Sequence, residues 1–180
     1  MKIIHLVGTS CSGKSYILQP FLLRDDVAFW DILDFYNRKG CIVNGRMDWD
    51  MWEKAKPQII PDLEAWFVKN FATHHCIIES GSNATINSYL NKVAKKYEVL
   101  QIRLVTPSDK ILIERAKLRD MDPEVVLNFK RMYVQRHEHS SDKTYTQEEA
   151  SRYLSELLPE GESHVSPQPI LPIEGGNQDQ

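Results

Sequence analysis

The chain has 180 residues, a formal net charge of −3 at pH 7, and 42% hydrophobic and 26% charged residues. Its length allows one domain with a substantial core, and the acidic balance argues against a broad surface that coats nucleic acid. Cys11, Cys41 and Cys76 show no CxxC or paired spacing, which argues against a zinc site and a disulfide framework. No apolar run approaches the length of a membrane span, so a soluble cytoplasmic protein is predicted.

The first predicted element is an apolar strand over residues 2–7, which leads directly into a glycine-containing loop at 8–15. That loop reads G-x-x-x-x-G-K-S, and this pattern between a buried strand and a helix is typical of a phosphate-binding P-loop. The glycines permit close backbone approach, and the N–H groups form a nest for an anion. We expect Lys14 to reach the β- and γ-phosphates of ATP and the Ser15 hydroxyl to bind Mg²⁺. The predicted nucleotide-binding residues are Gly8, Thr9, Ser10, Cys11, Ser12, Gly13, Lys14, Ser15 and Tyr16.

The elements that follow predict an α/β fold. Apolar runs at 76–79 and 100–105, with a weaker run at 27–33, predict buried parallel strands. Apolar residues at helical spacing predict helices over 62–71 and 83–97, and Pro20 must end or kink the first helix. A capping box at Thr146 predicts a last helix over 146–158. Alternating strands and helices predict a three-layer P-loop NTPase fold, with a central mostly parallel sheet, helices on both faces and a short helical lid.

The composition changes after residue 158. Residues 1–158 are predicted to form the P-loop kinase domain. Residues 159–180 are rich in proline, glycine and polar residues, and they lack the apolar residues that a core needs. A flexible C-terminal tail is therefore predicted there.

Several classes of P-loop protein are disfavoured because their characteristic motifs are missing from this sequence. The string nearest to the guanine-recognition motif, Asn91-Lys92-Val93-Ala94, lacks its aspartate and falls within a predicted helix. A single acid, Glu79, closes the second strong strand, where large ATPases usually carry two. The chain is also too small for an oligomeric ATPase with a separate lid domain. These observations favour a small phosphotransferase.

A kinase needs a carboxylate near the γ-phosphate to accept the proton of the attacking hydroxyl. Asp31 and Asp34 follow the second strand, and the ends of parallel strands face the phosphate loop. Asp34 is the preferred base. Asp31 is the alternative base or otherwise a residue of the acceptor site. The other interpretation is that both acids are helix caps or solvated loop charges.

Two arginines, Arg115 and Arg119, are spaced i,i+4 in a predicted helix over 111–120. Such a pair can project from one helix face and neutralise charge on the transferring phosphoryl group, as catalytic lid residues do. The alternative is a solvated helix face, with Glu114 and Asp120 as local partners.

The order of these motifs resembles the P-loop nucleoside and nucleotide kinase group. The chain is most similar to its polynucleotide 5′-hydroxyl kinase and zeta-toxin-like branch. The resemblance covers about residues 1–135. It implies that Asp34 is the catalytic aspartate and Arg119 the lid arginine, and that Ser80 and Asn83 contact the acceptor. The branch also has an arginine that grips a substrate phosphate, and Arg38 stands about one residue from that position.

Three functions therefore stay open. The first is an ATP- and Mg²⁺-dependent kinase of a nucleoside, nucleotide or related small acceptor. The second is a kinase of nucleic-acid 5′ ends, and the third is a P-loop ATP-binding switch or adaptor without kinase activity. Three aromatic residues in the expected acceptor region either stack against a base or form helical core; they are Trp49, Trp52 and Trp66.

Overall fold

The computed structural model describes residues 2–81, 83–94, 96–137 and 143–159. Its strands, in chain order, are β1 (Ile3–Val7), β2 (Val27–Asp31), β3 (Ile42–Val43), β4 (Arg46–Met47), β5 (His75–Gly81), β6 (Val99–Leu104) and β7 (Thr144–Tyr145). Five of them form one sheet in the order β2-β5-β1-β6-β7, and every neighbouring pair is parallel. The other two, β3 and β4, pair as a small antiparallel hairpin.

Eight helices connect and cover these strands within the described ranges. They are α1 (Lys14–Leu18), α2 (Ile32–Arg38), α3 (Trp49–Ala55), α4 (Ile59–Asn70), α5 (Ala84–Val93), α6 (Asp109–Leu118), α7 (Pro123–His137) and α8 (Gln147–Leu157). Short 3₁₀ turns follow α1 at Gln19–Phe21 and α3 at Lys56–Gln58. The first of these turns contains Pro20, so the predicted break after α1 is present.

The sheet is buried on both faces. Alternate residues of its central strands belong to two separate hydrophobic cores, one on each face. One core joins Ile3 and Ile78 to α2, α4 and α5. The other joins Ile4 and Ile77 to α1 and α8. A third, smaller cluster packs Cys11 of the phosphate loop against α6 and α7, which together form the helical lid. The predicted three-layer α/β fold is therefore confirmed.

Side-chain caps fix where most of the longer helices begin. The carboxylate of Asp31 accepts the Leu33 N–H at the start of α2, and Asn83 accepts the Ile86 N–H at the start of α5. The predicted capping box is present at α8, where Thr146 and Glu149 satisfy each other's backbone N–H groups. None of the helices in the described ranges combines the length and the apolar composition that crossing a bilayer requires.

The two-residue strands β3, β4 and β7 were not expected from the sequence, because they are too short to show an alternating pattern. The predicted tail lies outside the described residues, apart from Pro159. The division into a kinase domain and a tail therefore stays a prediction.

Candidate functional site

The polar residues of the candidate site meet at the carboxyl edge of the sheet. Because β2, β5 and β1 are adjacent and parallel, their last residues come together there. Asp31 pairs in register with Glu79, and Glu79 pairs on its other side with Leu6, just before the phosphate loop. In parallel α/β sheets this edge is where ligands bind.

The phosphate loop has the backbone geometry that its glycines predict. Gly13 has a φ of 99°, which favours glycine, and Cys11 also adopts a positive φ of 59°. A Cβ added at Gly8 would lie 2.6 Å from the Ser12 Oγ, and one added at Gly13 would overlap the side chain of Gln147. Gly13 is therefore favoured by its backbone conformation and by its packing against Gln147, whereas Gly8 is favoured by its packing against Ser12.

Lys14 is buried at the centre of the site, with 7% of its surface exposed. Its Nζ donates to the carbonyl oxygens of Gly8 at 3.0 Å and Thr9 at 2.9 Å. The same Nζ lies 3.5 Å from the Glu79 Oε1. The ammonium group is thus held between the phosphate loop and an acid at the end of the neighbouring strand.

The residues present fit a bound triphosphate and Mg²⁺. The hydroxyl oxygens of Thr9 and Ser12 are buried in the loop without a hydrogen-bond partner, so an oxygen-rich anion would satisfy them. Ser15 is exposed at the start of α1, and Glu79 stands near the end of the adjacent strand β5. The described residues hold no ready cluster of three His, Cys, Asp or Glu side chains. This set suits Mg²⁺, which binds few protein oxygens and takes the rest from phosphates and water.

Asp31 combines a structural role with an unusual electrostatic environment. Its Oδ1 accepts the Leu33 N–H at 2.8 Å, which caps α2. Burial, together with the charges of Glu79 and Asp34, raises the pKa of the Asp31 carboxyl to about 6. The Leu33 hydrogen bond and the Lys14 charge act in the opposite direction. A carboxylate with its pKa near neutrality is well placed to exchange a proton.

Asp34 and Arg38 lie on the exposed side of α2. Asp34 is in the first turn of the helix and is exposed. Arg38 forms a two-pronged ion pair with Asp62 of α4, at distances of 3.0 and 2.9 Å. The site therefore includes both aspartates named from the sequence. Asp31 is the one beside Glu79, and the assignment of Asp34 as base stays a prediction.

The two arginines of the predicted lid, Arg115 and Arg119, occupy different environments. Arg115 is half-buried, and its Nη1 donates to the carbonyl oxygen of Cys11 at 2.9 Å, on the outer side of the phosphate loop. Arg119 lies just beyond the end of α6 and is exposed. Their spacing suggested one shared face, but α6 ends between them. Arg115 thus contacts the loop, whereas Arg119 stays a predicted ligand of the transferring group.

Gln147, the first residue of α8, contacts the phosphate loop although the motif analysis did not include it. Its Nε2 donates to the Ser12 carbonyl oxygen at 2.9 Å, and its Oε1 accepts from Arg115 at 3.4 Å. The capping box located the start of α8, but no local pattern relates residue 147 to residue 12. We infer that Arg115 and Gln147 together brace the loop from outside.

Gln147→Ala is expected to weaken ATP binding about tenfold, because it removes two hydrogen bonds that hold the loop. Calorimetric titration with ATP and Mg²⁺ measures the change. Glu148→Ala, at the exposed neighbouring position of α8, is the matched control and should bind like the unmodified protein. Equal affinities for both variants would show that the loop holds its shape without Gln147.

Ser80 and Asn83, both predicted to contact the acceptor, occupy different environments. Ser80 is 1% exposed, and its Oγ lies 2.6 Å from the Nε2 of the buried His5. Burial, with the charge of Arg103, lowers the pKa of His5 to about 3, so the His5 ring is neutral. Asn83 is half-buried, and its Nδ2 donates to the Tyr36 Oη at 3.3 Å. Asn83 is therefore partly accessible, whereas Ser80 belongs to a buried network.

The tryptophans of the acceptor region are mostly core. Trp52 and Trp66 pack against the core formed by α2, α4 and α5. Trp49 is 57% exposed, and its ring meets the edge of Trp52 at a centroid distance of 5.8 Å. The core interpretation holds for two of the three residues.

The chain thus has a five-stranded parallel sheet with a glycine-containing loop after its central strand and helices on both faces. The chain is similar in structure to shikimate kinase from Bacteroides thetaiotaomicron, with a TM-score of 0.51 and 14% identity. That match covers 87% of this chain and 98% of the other. At this identity it establishes the fold.

A second match is shikimate kinase from Aquifex aeolicus vf5, with a TM-score of 0.43 and 18% identity over 86% of this chain and 95% of the other. No protein-family model and no curated protein sequence matches the chain. The α/β fold of the chain is shared with the first of these structures. The resemblance to the polynucleotide kinase branch stays a prediction.

Proposed function

We propose that the protein is an ATP- and Mg²⁺-dependent phosphotransferase that moves the γ-phosphoryl group of ATP to a hydroxyl of a small acceptor. The observation that carries this proposal is the juxtaposition of Lys14, Glu79 and Asp31 at adjacent strand ends. It puts a carboxyl group of raised pKa beside a complete phosphate loop. The shared fold with small kinases supports the same conclusion.

The chain's own residues supply binding, orientation and proton transfer. The loop would hold the phosphates of ATP, with Lys14 toward the β- and γ-phosphates, and the Ser15 hydroxyl would hold Mg²⁺. Bound Mg²⁺ supplies neutralisation of the phosphate charge. The acceptor hydroxyl gives its proton to the base as its oxygen forms a bond to the γ-phosphorus. The bond from that phosphorus to the bridging oxygen of ADP breaks, and ADP and the phosphorylated acceptor leave.

The geometry favours Asp31 over Asp34 as the base. Asp31 stands at the end of β2, in register with the acid that contacts Lys14, whereas Asp34 is exposed one turn further along α2. The charge of Glu79 raises the pKa of Asp31, and this increases its proton affinity. We therefore assign Asp31 as the base and Asp34 to the rim of the acceptor cleft. Arg119 is the proposed mobile contact to the transferring group, and Arg115 maintains the loop.

An acceptor panel tests this function. ADP release and transfer of labelled γ-phosphate are measured with ATP and Mg²⁺ against nucleosides, nucleoside monophosphates, sugars, amino alcohols and 5′-hydroxyl oligonucleotides. We expect one class of small acceptor to stimulate ADP release and to carry the label. Selective labelling of the oligonucleotide would favour the polynucleotide kinase alternative. ATP binding without transfer to any acceptor would favour a switch or adaptor.

A further inference from the structure

The acceptor side of the cleft, next to α2, is rich in negative charge. Asp31 is in register with Glu79 on the neighbouring strand, and Asp34 follows in the first turn of α2. Lys14 is the cation that opposes them, and its proposed task is to bind the phosphates of ATP. An acceptor that binds beside Asp31 would therefore lie close to several carboxylates.

Arg38, the basic residue of α2, is held by the carboxylate of Asp62 in α4. Arg38 lies one turn beyond Asp34, and its side chain is 55% exposed, so it could have reached a ligand. Both of its terminal nitrogens instead donate to the Asp62 carboxylate. Asp62 also accepts the Trp30 Nε1–H at 3.1 Å, and the Arg38 hydrogen bonds lower its pKa, so it stays ionised. This paired geometry is the strong form of an Arg–carboxylate contact.

Lys39 and Lys56, near α2 and α3, also have partners, whereas Arg46 of β4 and Lys54 of α3 are exposed. Lys39 donates to the Gln58 Oε1 at 2.7 Å. Lys56 lies 4.8 Å from the centre of the Trp52 ring and 3.9 Å from the Glu53 carboxylate. Arg103 is buried in β6, which β5 and β1 separate from β2.

Neutral hydrogen-bonding groups complete this side of the cleft. The Asn83 amide donates to the Tyr36 hydroxyl. Burial raises the pKa of Tyr36, which keeps the hydroxyl protonated. Amide and phenol groups recognise hydroxyls and other neutral polar atoms, whereas phosphates and carboxylates are usually gripped by arginine or lysine.

We propose that the acceptor is a small hydroxyl compound without a phosphate or carboxylate group, and that Asp62 contributes to this specificity by holding Arg38. The inference rests on the proposed phosphotransferase function. A phosphate or carboxylate on the acceptor would approach Asp31, Asp34 and Glu79 without a cation from α2 to balance it. Specificity would then come from repulsion of the wrong acceptors as much as from attraction of the right one.

Matched acceptor pairs test the charge preference. Each pair differs by one anionic group: a nucleoside and its 5′-monophosphate, a sugar and its phosphate, an amino alcohol and the corresponding hydroxy acid. For the pair that supports turnover, kcat/KM should be at least about tenfold higher for the member without the anionic group. Equal or better use of the anionic member would overturn the proposal.

Asp62→Asn tests the role assigned to Asp62. It releases the Arg38 charge, and the asparagine oxygen can still accept from Trp30, so the preference against the anionic member should fall at least about threefold. Asp26→Asn is the matched control. Arg24 and Asp26 form a similar two-pronged pair at the opposite end of β2, and its loss should leave the ratio unchanged. An unchanged ratio in Asp62→Asn would remove Asp62 from the proposal.

A binding measurement separates failure of this inference from failure of the proposed function. If ATP binds but no acceptor is phosphorylated, the phosphotransferase function fails. The same pairs are then titrated calorimetrically into the protein with Mg²⁺ and a non-hydrolysable ATP analogue. Tighter binding of the uncharged or cationic member supports the charge preference, and tighter or equal binding of the anionic member overturns it.

Discussion

Lys14→Ala is expected to reduce phosphoryl transfer by at least about a thousandfold, because the variant loses the buried cation that stabilises charge on the β- and γ-phosphates. ATP affinity should fall as well, since the same ammonium binds the ground state. Initial rates with the best acceptor of the panel, together with calorimetric ATP binding, measure both effects. Turnover like that of the unmodified protein would remove the P-loop assignment.

This variant needs a control for stability, because Lys14 contacts Glu79 in a buried environment. Removing one partner of a buried ion pair leaves an uncompensated charge and can cost about 3 kcal/mol of folding free energy. The double variant Lys14→Ala with Glu79→Gln removes that charge. We expect the double variant to regain thermal stability while transfer stays lost, which separates the catalytic effect from unfolding.

Asp31→Asn is expected to lower kcat by a factor of about 10² to 10⁴ with ATP affinity nearly unchanged, because it removes the proposed base but no phosphate ligand. Asparagine keeps an oxygen that can cap α2, so the fold should be preserved. Asp34→Asn is the control on the same helix and should affect kcat much less. The reverse result, a large loss in Asp34→Asn alone, would identify Asp34 as the base.

The raised pKa of Asp31 predicts how both the reaction rate and the stability of the protein change with pH. Asp31 must be ionised to accept a proton, so kcat/KM for ATP should rise as the pH increases through about 6 and then level off. The folded-state pKa of Asp31 lies above its ordinary value of 3.8, so its ionisation opposes folding. Its contribution to stability is therefore lost as the pH rises from about 4 to 6. Above that range Asp31→Asn should melt at a higher temperature than the unmodified protein.

Local sequence patterns were sufficient to predict the phosphate loop and most of the sheet. The loop has fixed residue types at fixed spacing, and long apolar runs such as β1 are recognisable because both of their faces are buried. The relation of Asp31 to Asp34 could not be read in this way. Both residues are aspartates close together in the sequence. Asp31 differs from Asp34 in being more buried and in lying next to the charge of Glu79.

Contacts between residues that are distant in the sequence also could not be predicted from local sequence patterns. The spacing of Arg115 and Arg119 predicted a shared face, but α6 ends at Leu118, and the end of a helix is poorly specified by sequence. Gln147 meets the loop across 135 positions of the chain. Such a contact depends on how α8 packs against α1, and no motif describes it.

The contact between Gln147 and Ser12 also has a consequence for the order of events during protein synthesis. Chains fold as they leave the ribosome, beginning at the amino terminus. The phosphate loop therefore emerges well before the side chain that braces it, at residue 147, which follows Ser12 by 135 positions. A nascent chain that stops short of α8 would therefore have the complete nucleotide motif without its support, and tight ATP retention would begin only once α8 has docked.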